Sequence, residues 1–337
     1  MSSADIAKTK RWVHDGLRQI FSGGATGLDD RVRAVFTDDV SVGVAHPINN
    51  LKGSAALLAS WLHPLCHAFP DLERRDEILL AGESDGKSLV ACMGHYQGTF
   101  AAPFFAIPPT QNLVHLRYGE LHEVQGERIV QSWILPDFID LMHQANCWPL
   151  APSLGQEGTW MGPATQRGLQ PDVVDATGGA VSLAIIHQMH AALLSFDGKN
   201  LESMDHAKYW TPNFMWYGPS GIGTTRGLKG FRAHHQIPFL RAVPDRTGGN
   251  NRFFGDGAFT MNGGWPGMSA THTSGNWLGL APTGKRFTIR VMDFYRIENG
   301  LIAENWVPID LLNIMDQLGL DVFDRMRHRT GNPTMTL

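Results

Sequence analysis

The stretch "RFTIRVMDFYRI" sets one carboxylate, Asp293, in an apolar and aromatic run. Strand side chains alternate between faces, so Val291, Asp293, Tyr295 and Ile297 share one face and Met292, Phe294 and Arg296 the other. A carboxylate among Val, Tyr and Ile loses hydration, and its pKa rises. That suits a general acid or base near neutral pH. The alternative is a structural pairing with an arginine or a capped backbone group. In "THTSGNW", the same alternation predicts that His272, Ser274 and Asn276 share a face. Such a stripe can donate hydrogen bonds to a carbonyl or enolate oxygen, or it is a polar strand edge facing water. Asp310 and Asp137 precede the helix-like "LLNIMDQ" and "FIDLMHQ". Each reads as an N-cap, or as a carboxylate at a pocket mouth that orients His272 or a substrate hydroxyl.

Aromatic residues supply candidate walls: Trp306, Trp216, Tyr217 and Tyr295, with Trp133 in the first half. Adjacent helical residues point about 100° apart, so at most one of His234 and His235 faces a pocket; His235 is taken as the binding candidate. In the first half His95 and His115 are the corresponding candidates. His187 and His190 lie three apart, but no carboxylate motif or cysteine pair completes a zinc set, and no metal is expected. No dinucleotide fingerprint, P-loop or nucleophile elbow is present. The carboxylate and the polar groups near it point to proton transfer on a small-molecule substrate.

These residues recur along the chain. Trp133 and Trp306 are 173 residues apart, and so are Asp137 and Asp310. "FTDDV" matches "WTPNF", "LKGSAAL" matches "LKGFRAH", "AFPD" matches "AVPD" and "IPPT" matches "LAPT", in the same order. The period is far longer than a solenoid's roughly 20–50 residues, so a whole domain is duplicated. The first domain is read as 1–148 and the second as 179–330. The Gly- and Pro-rich 149–178 is a linker expected to lie over the domains. On this overlay Gly119 stands where Asp293 does, which removes the carboxylate from the first copy. Glu120 is adjacent but would aim at the other face unless a bulge intervenes.

Each copy begins with a helix, "AKTKRWVHDGLRQIF" or "SLAIIHQMHAALLSF". A second helix follows the Leu-Lys-Gly turn, and strands follow that. "IENGLI" is a hairpin with Asn-Gly at its tip. This order is α+β with an antiparallel sheet.

Composition narrows the partners. The 337 residues are 43% hydrophobic and 18% charged, with net charge −4. That is enough for two cores, and no basic stripe favours nucleic acid or a membrane surface. No run approaches the roughly 18 apolar residues of a spanning helix, and the N-terminus lacks a signal-peptide core. Three irregularly spaced cysteines, Cys66, Cys92 and Cys147, predict free thiols and a cytoplasmic location.

On "GLKGFRA", "AVPD" and "LAPTGKRFTIRVMDFYRIENGLIAENWVPIDLLNIMDQLG", the second copy resembles the SnoaL-like polyketide cyclases, or ester cyclases, of the NTF2-like superfamily, and the first copy keeps the same frame more loosely. The resemblance implies two tandem cones, each a curved antiparallel sheet wrapped by about three helices around an apolar pocket. It implies acid–base cyclisation or a related isomerisation, dehydration or hydrolysis, without metal or cofactor. Some relatives of this fold do no chemistry, so a non-catalytic binding module stays open. The family dimerises; the fused copies could form that pair within one chain, and a further homodimer of the whole chain also stays open. Its cyclases carry an Asp just after the position of Trp306. Here Val307 and Ile134 stand there.

Overall fold

The computed structural model describes residues 2–275 and 277–330. The first repeat runs α1 (Ser3–Phe21), α2 (Leu28–Val35), β1 (Phe36–Val44), β2 (Asn49–Lys52), α3 (Ser54–Leu57), α4 (His63–Ala68), β3 (Glu73–Ser84), β4 (Lys87–Thr99), β5 (Leu113–Val124), β6 (Ile129–Pro136) and α5 (Phe138–Gln144). The second runs α6 (Ala176–Leu194), β7 (Trp210–Tyr217), β8 (Thr225–Arg226), α7 (Gly227–Phe231), α8 (Ile237–Ala242), β9 (Thr247–Gly248), β10 (Asn251–Asp256), β11 (Phe259–Thr271), β12 (Arg286–Glu298), β13 (Leu301–Trp306), α9 (Leu311–Leu318) and α10 (Val322–Arg329). The sheets have the orders β2-β1-β6-β5-β4-β3 and β10-β11-β12-β13-β7-β8, with β9 beside β11. This is α+β, with one correction. β1 pairs with β6, and β7 with β13, in parallel. A long connection separates each of these pairs, so no hairpin forces them antiparallel.

Local chemistry explains the helix breaks. In each copy a π turn, Leu58–Leu62 or Arg232–Gln236, comes just before Pro64 or Pro238. Proline lacks a donor and crowds the carbonyl four residues back, and the wider turn accommodates it. The second π turn carries His235. The β12–β13 hairpin turns at Asn299 and Gly300, both with positive φ, as its Asn-Gly tip requires.

The outer faces of the two sheets pack on each other. Trp265, on a bulge of β11, stacks on Trp133 at 6.4 Å and donates its indole N–H to Asn50. A Cβ on Gly43 would come within 2.6 Å of Trp265, so only glycine admits the ring. Lys10, 2% exposed, reaches Asp256 at 2.7 Å across the same boundary. The linker lies over both repeats. Its Gly168 carbonyl accepts from Leu79, and Trp306 donates to the Met161 carbonyl.

Candidate active site

The second cone encloses a cavity of about 220 Å³. Alternation on β12 brings Ile289, Val291, Asp293 and Tyr295 to its wall. Trp210, Trp216, Phe231, Phe239 and Trp277 make the rest of it largely aromatic. His190 from α6, His206 and His235 also line it. An adjoining pocket of about 320 Å³ shares Ile222, His235 and Trp277 with it and reaches linker residues Ala151, Pro152 and Leu154.

Asp293 sits between two amides. Asn262 on β11, directly opposite it, donates to one oxygen at 3.3 Å, and Asn305 on β13 donates to the other at 3.4 Å. Among the described residues no cation pairs with it. Burial pushes its carboxyl up to about 6, and hydrogen bonds from Asn305, Tyr295 and Asn262 pull it back only in part. Burial, and then the Asp293 charge, raise the Tyr295 phenol well above its ordinary value. His190 lies 3.4 Å from the Tyr295 hydroxyl. Burial lowers His190 and His206 to about 4 and His235 to about 3, so all three imidazoles are neutral at pH 7. The wall thus offers one basic carboxylate with neutral donors near it, and Arg246 is the cation among the lining residues.

The matching position in the first cone is Glu120, not Gly119. β5–β6 pairing sets Leu121 opposite Trp133, and β12–β13 pairing sets Phe294 opposite Trp306. Asp293, the residue before Phe294, therefore corresponds to Glu120, with no bulge required. Gly119 faces outward, where a Cβ would meet Pro308 at 2.6 Å and Phe294 at 3.3 Å. Glu120 is locked: Arg74 lies at 2.8 Å, the Tyr96 hydroxyl donates at 2.6 Å and His122 stands at 3.2 Å. Burial would raise its carboxyl, but Arg74 and His122 hold it at about 2. Trp61, Tyr96, Phe104 and Phe138 pack the interior of that cone. Cys92, Glu120 and His122 are the one group among the described residues with metal-ligand spacing. Arg74 is already paired with the Glu120 carboxylate and with Asp76, each at 2.8 Å.

The other candidate residues separate into walls and frame. Trp216 and His235 line the cavity, their rings stacked at 3.9 Å. Tyr217 and Trp306 do not: they stack on each other at 5.3 Å on the outer face. Tyr217 neighbours Trp216 and Trp306 neighbours Asn305, so alternation turns both away. Trp133 likewise meets Trp265 between the sheets. His272 is fully buried but off the cavity wall, because β11 ends at Thr271. Its backbone pairs with Lys285 and Gly284, so strand alternation does not extend through Ser274. Asn276 lies outside the described residues.

Asp310 is an N-cap buried between the repeats. It accepts from the Asn313 and His46 backbone N–H groups and from Arg290, each at 3.0 Å. Asp137 repeats this with Asp140, Ser220 and Arg117. His95 pairs with Glu77 at 3.0 Å, and His115 lies 3.5 Å from Asp140. Neither lines the second cavity. Sequence reasoning passed over His206, Asn262, Asn305 and Arg246; their spacing carried no motif, and only strand pairing and chain crossing gather them.

The family model of the SnoaL-like polyketide cyclases matches residues 14–145 and 184–318. The chain belongs to the SnoaL-like polyketide cyclase family. Solved structures similar to it include NTF2-like proteins from Burkholderia thailandensis E264 (19% identity, 41% of this chain and 98% of that one, TM-score 0.34) and Burkholderia xenovorans LB400 (16%, 42% and 98%, 0.33). IdmH from Streptomyces antibioticus is another, at 19% identity over 41% of this chain and 98% of its own, with TM-score 0.35. No curated protein matches the sequence. This SnoaL-like chain carries the family's domain twice. At the position after Trp306, Val307 does face the cavity. The carboxylate on the wall comes instead from Asp293, on the neighbouring strand. No described helix is long and apolar enough to cross a membrane.

Proposed function

We propose that the second cone is an acid–base site for a small, partly apolar carbonyl or hydroxyl compound, and that the first cone is its structural partner within the chain. One observation carries this reading. Asp293 lies on a cavity wall with no cation paired to it and a carboxyl raised to about 6, while Glu120, at the same position of the filled cone, is held by Arg74. A carboxylate kept ionised by arginine is a poor base; one that titrates near neutrality accepts and returns a proton.

Asp293 takes a proton from a carbon next to the carbonyl, or from a hydroxyl. The Tyr295 hydroxyl, or a neutral imidazole among His190, His206 and His235, donates a hydrogen bond to the oxygen where negative charge develops. Asp293 then returns the proton at a second atom, giving cyclisation, isomerisation or dehydration; with water as the proton donor, the same base supports hydrolysis. Trp216 and His235 hold the apolar body. His272 and Asp310, buried away from this wall, support the cone rather than touch the substrate. Three buried free thiols fit a reducing cytoplasm.

The deciding experiment is turnover of a substrate found by screening carbonyl compounds, with Asp293→Asn beside the parent. Loss of turnover with folding intact supports the assignment. Unchanged turnover overturns it and leaves the cavity as a binding site.

A further inference from the structure

The second cone retains a cation on its inner face, but one strand step nearer the rim. Arg74 lies opposite Tyr96 on the β3–β4 pair, and Tyr96 lies opposite Leu116. In the second copy Gly248 lies opposite Met268, and Met268 opposite Ile289. Gly248 therefore takes the place of Arg74, and the guanidinium that would have reached Asp293 is gone. Two residues earlier, on the same face by alternation, Arg246 lines the cavity. The first copy has the buried apolar Leu72 at the matching place.

Arg246 is half-buried, and among the described residues it has no acidic partner. Its guanidinium stands 5.9 Å from the Phe196 ring. The adjacent Asp245 is occupied by the backbone and hydroxyl of Thr271 and by Arg286. Burial lowers the Arg246 pKa. A part-buried cation without a counter-charge is costly unless something completes it. Because Arg246 lines the cavity, a group held there, between Arg246 and the aromatic wall, can complete it.

We propose that Arg246 binds a carboxylate on an otherwise aromatic or apolar substrate and so sets which end of it meets Asp293. This deepens the acid–base reading and rests on it for the role of Asp293. Guanidinium and carboxylate match in a planar, two-bond geometry that lysine does not reproduce. The carboxylate end is anchored at Arg246, and the reacting carbon or hydroxyl is left at Asp293.

The test uses the full chain, with 1-naphthoate and its uncharged methyl ester as probes. Binding is read at pH 8 from quenching of the tryptophans that line the cavity. The acid should bind at least about tenfold more tightly than the ester, the scale of a charged hydrogen-bonded pair. Arg246→Met should abolish that preference, leaving ester affinity and the unfolding temperature in place. Arg246→Lys should restore only part of it. Failure of naphthoate to bind, equal affinity for acid and ester in the parent, or a preference that survives Arg246→Met would overturn the proposal. Asp293→Asn separates the two readings. It should keep the preference for the acid while losing turnover, so either result can fail without the other.

Discussion

Glu120 and Asp293 hold the same position in two copies of one sheet, and only Glu120 has an arginine. Arg74 lies 2.8 Å from Glu120, whereas Asp293 meets only amides and hydroxyls on a cavity wall. Opposite pH behaviour follows from this single difference.

For Asp293 the folded pKa of about 6 exceeds the ordinary 3.8. Between those values the folded state binds more protons than the unfolded one, so this group's contribution to stability falls as pH rises from about 4 to about 6. Asp293→Asn removes the penalty and should gain on the order of 2 kcal/mol at pH 7, and nothing at pH 3. The difference between variant and parent isolates it from His190, His206 and His235. Their lowered values work in the opposite direction, costing stability as pH falls below about 6.5. Unfolding temperature against pH is the measurement.

On the activity side, the same variant should lose about 10²–10⁴-fold in kcat. In the parent, the rate should rise with pH on an acidic limb centred near 6 and then level off, since the basic form of Asp293 is the working one. A flat profile from pH 5 to 8 would contradict the assignment.

Gly248→Arg should restore in the second cone the lock seen in the first. A Cβ at Gly248 meets nothing within 4 Å, so the backbone there accepts a side chain without a clash at its root. The new guanidinium should pull Asp293 down by a unit or more and move the acidic limb to lower pH, with weaker turnover at pH 7. NMR titration of the Asp293 carboxyl carbon reads this directly.

Glu120→Gln should destabilise the chain by about 3–5 kcal/mol, because it leaves the buried Arg74 with Asp76 as its remaining counter-charge. Glu120 has a folded pKa of about 2, below its ordinary 4.5. Its contribution is therefore complete above about pH 4.5 and fades as pH falls towards 2. Denaturant unfolding at pH 7 and pH 3 should show a smaller difference between variant and parent at the lower pH. Ligand affinity of the second cavity should stay unchanged.

Gly119→Ala tests the frame. Its Cβ would sit 2.6 Å from Pro308 in the other repeat. The cost should be about 1–3 kcal/mol as neighbours shift, read as a lower unfolding temperature. The Asp293 pKa, set by groups on the opposite face, should not move.

The repeat, the helix caps at Asp137 and Asp310, the Asn-Gly hairpin and the grouping of Val291, Asp293 and Tyr295 were legible in the chain, because they depend on local spacing; the opening helices start earlier than the apolar spacing alone showed, at Ser3 and Ala176. What local spacing could not say is which face of a strand is concave. Trp216 and Tyr217 are adjacent, so only one can look into the cavity; their types are alike, and the sheet's curvature chose Trp216. Trp306 and Trp133 read as walls for the same reason, yet they cover the outer faces, where Tyr217 and Trp265 meet them. A one-residue slip in the overlay moved the counterpart of Asp293 from Glu120 to Gly119, and a slip of one exchanges the two faces of a strand. The sequence by itself determined that one domain was written twice and that a carboxylate sat among apolar neighbours. Only the tertiary structure decided that the first carboxylate is neutralised and the second is not. A charge is set by what surrounds it in space, and Arg74 stands 46 residues from Glu120 along the chain.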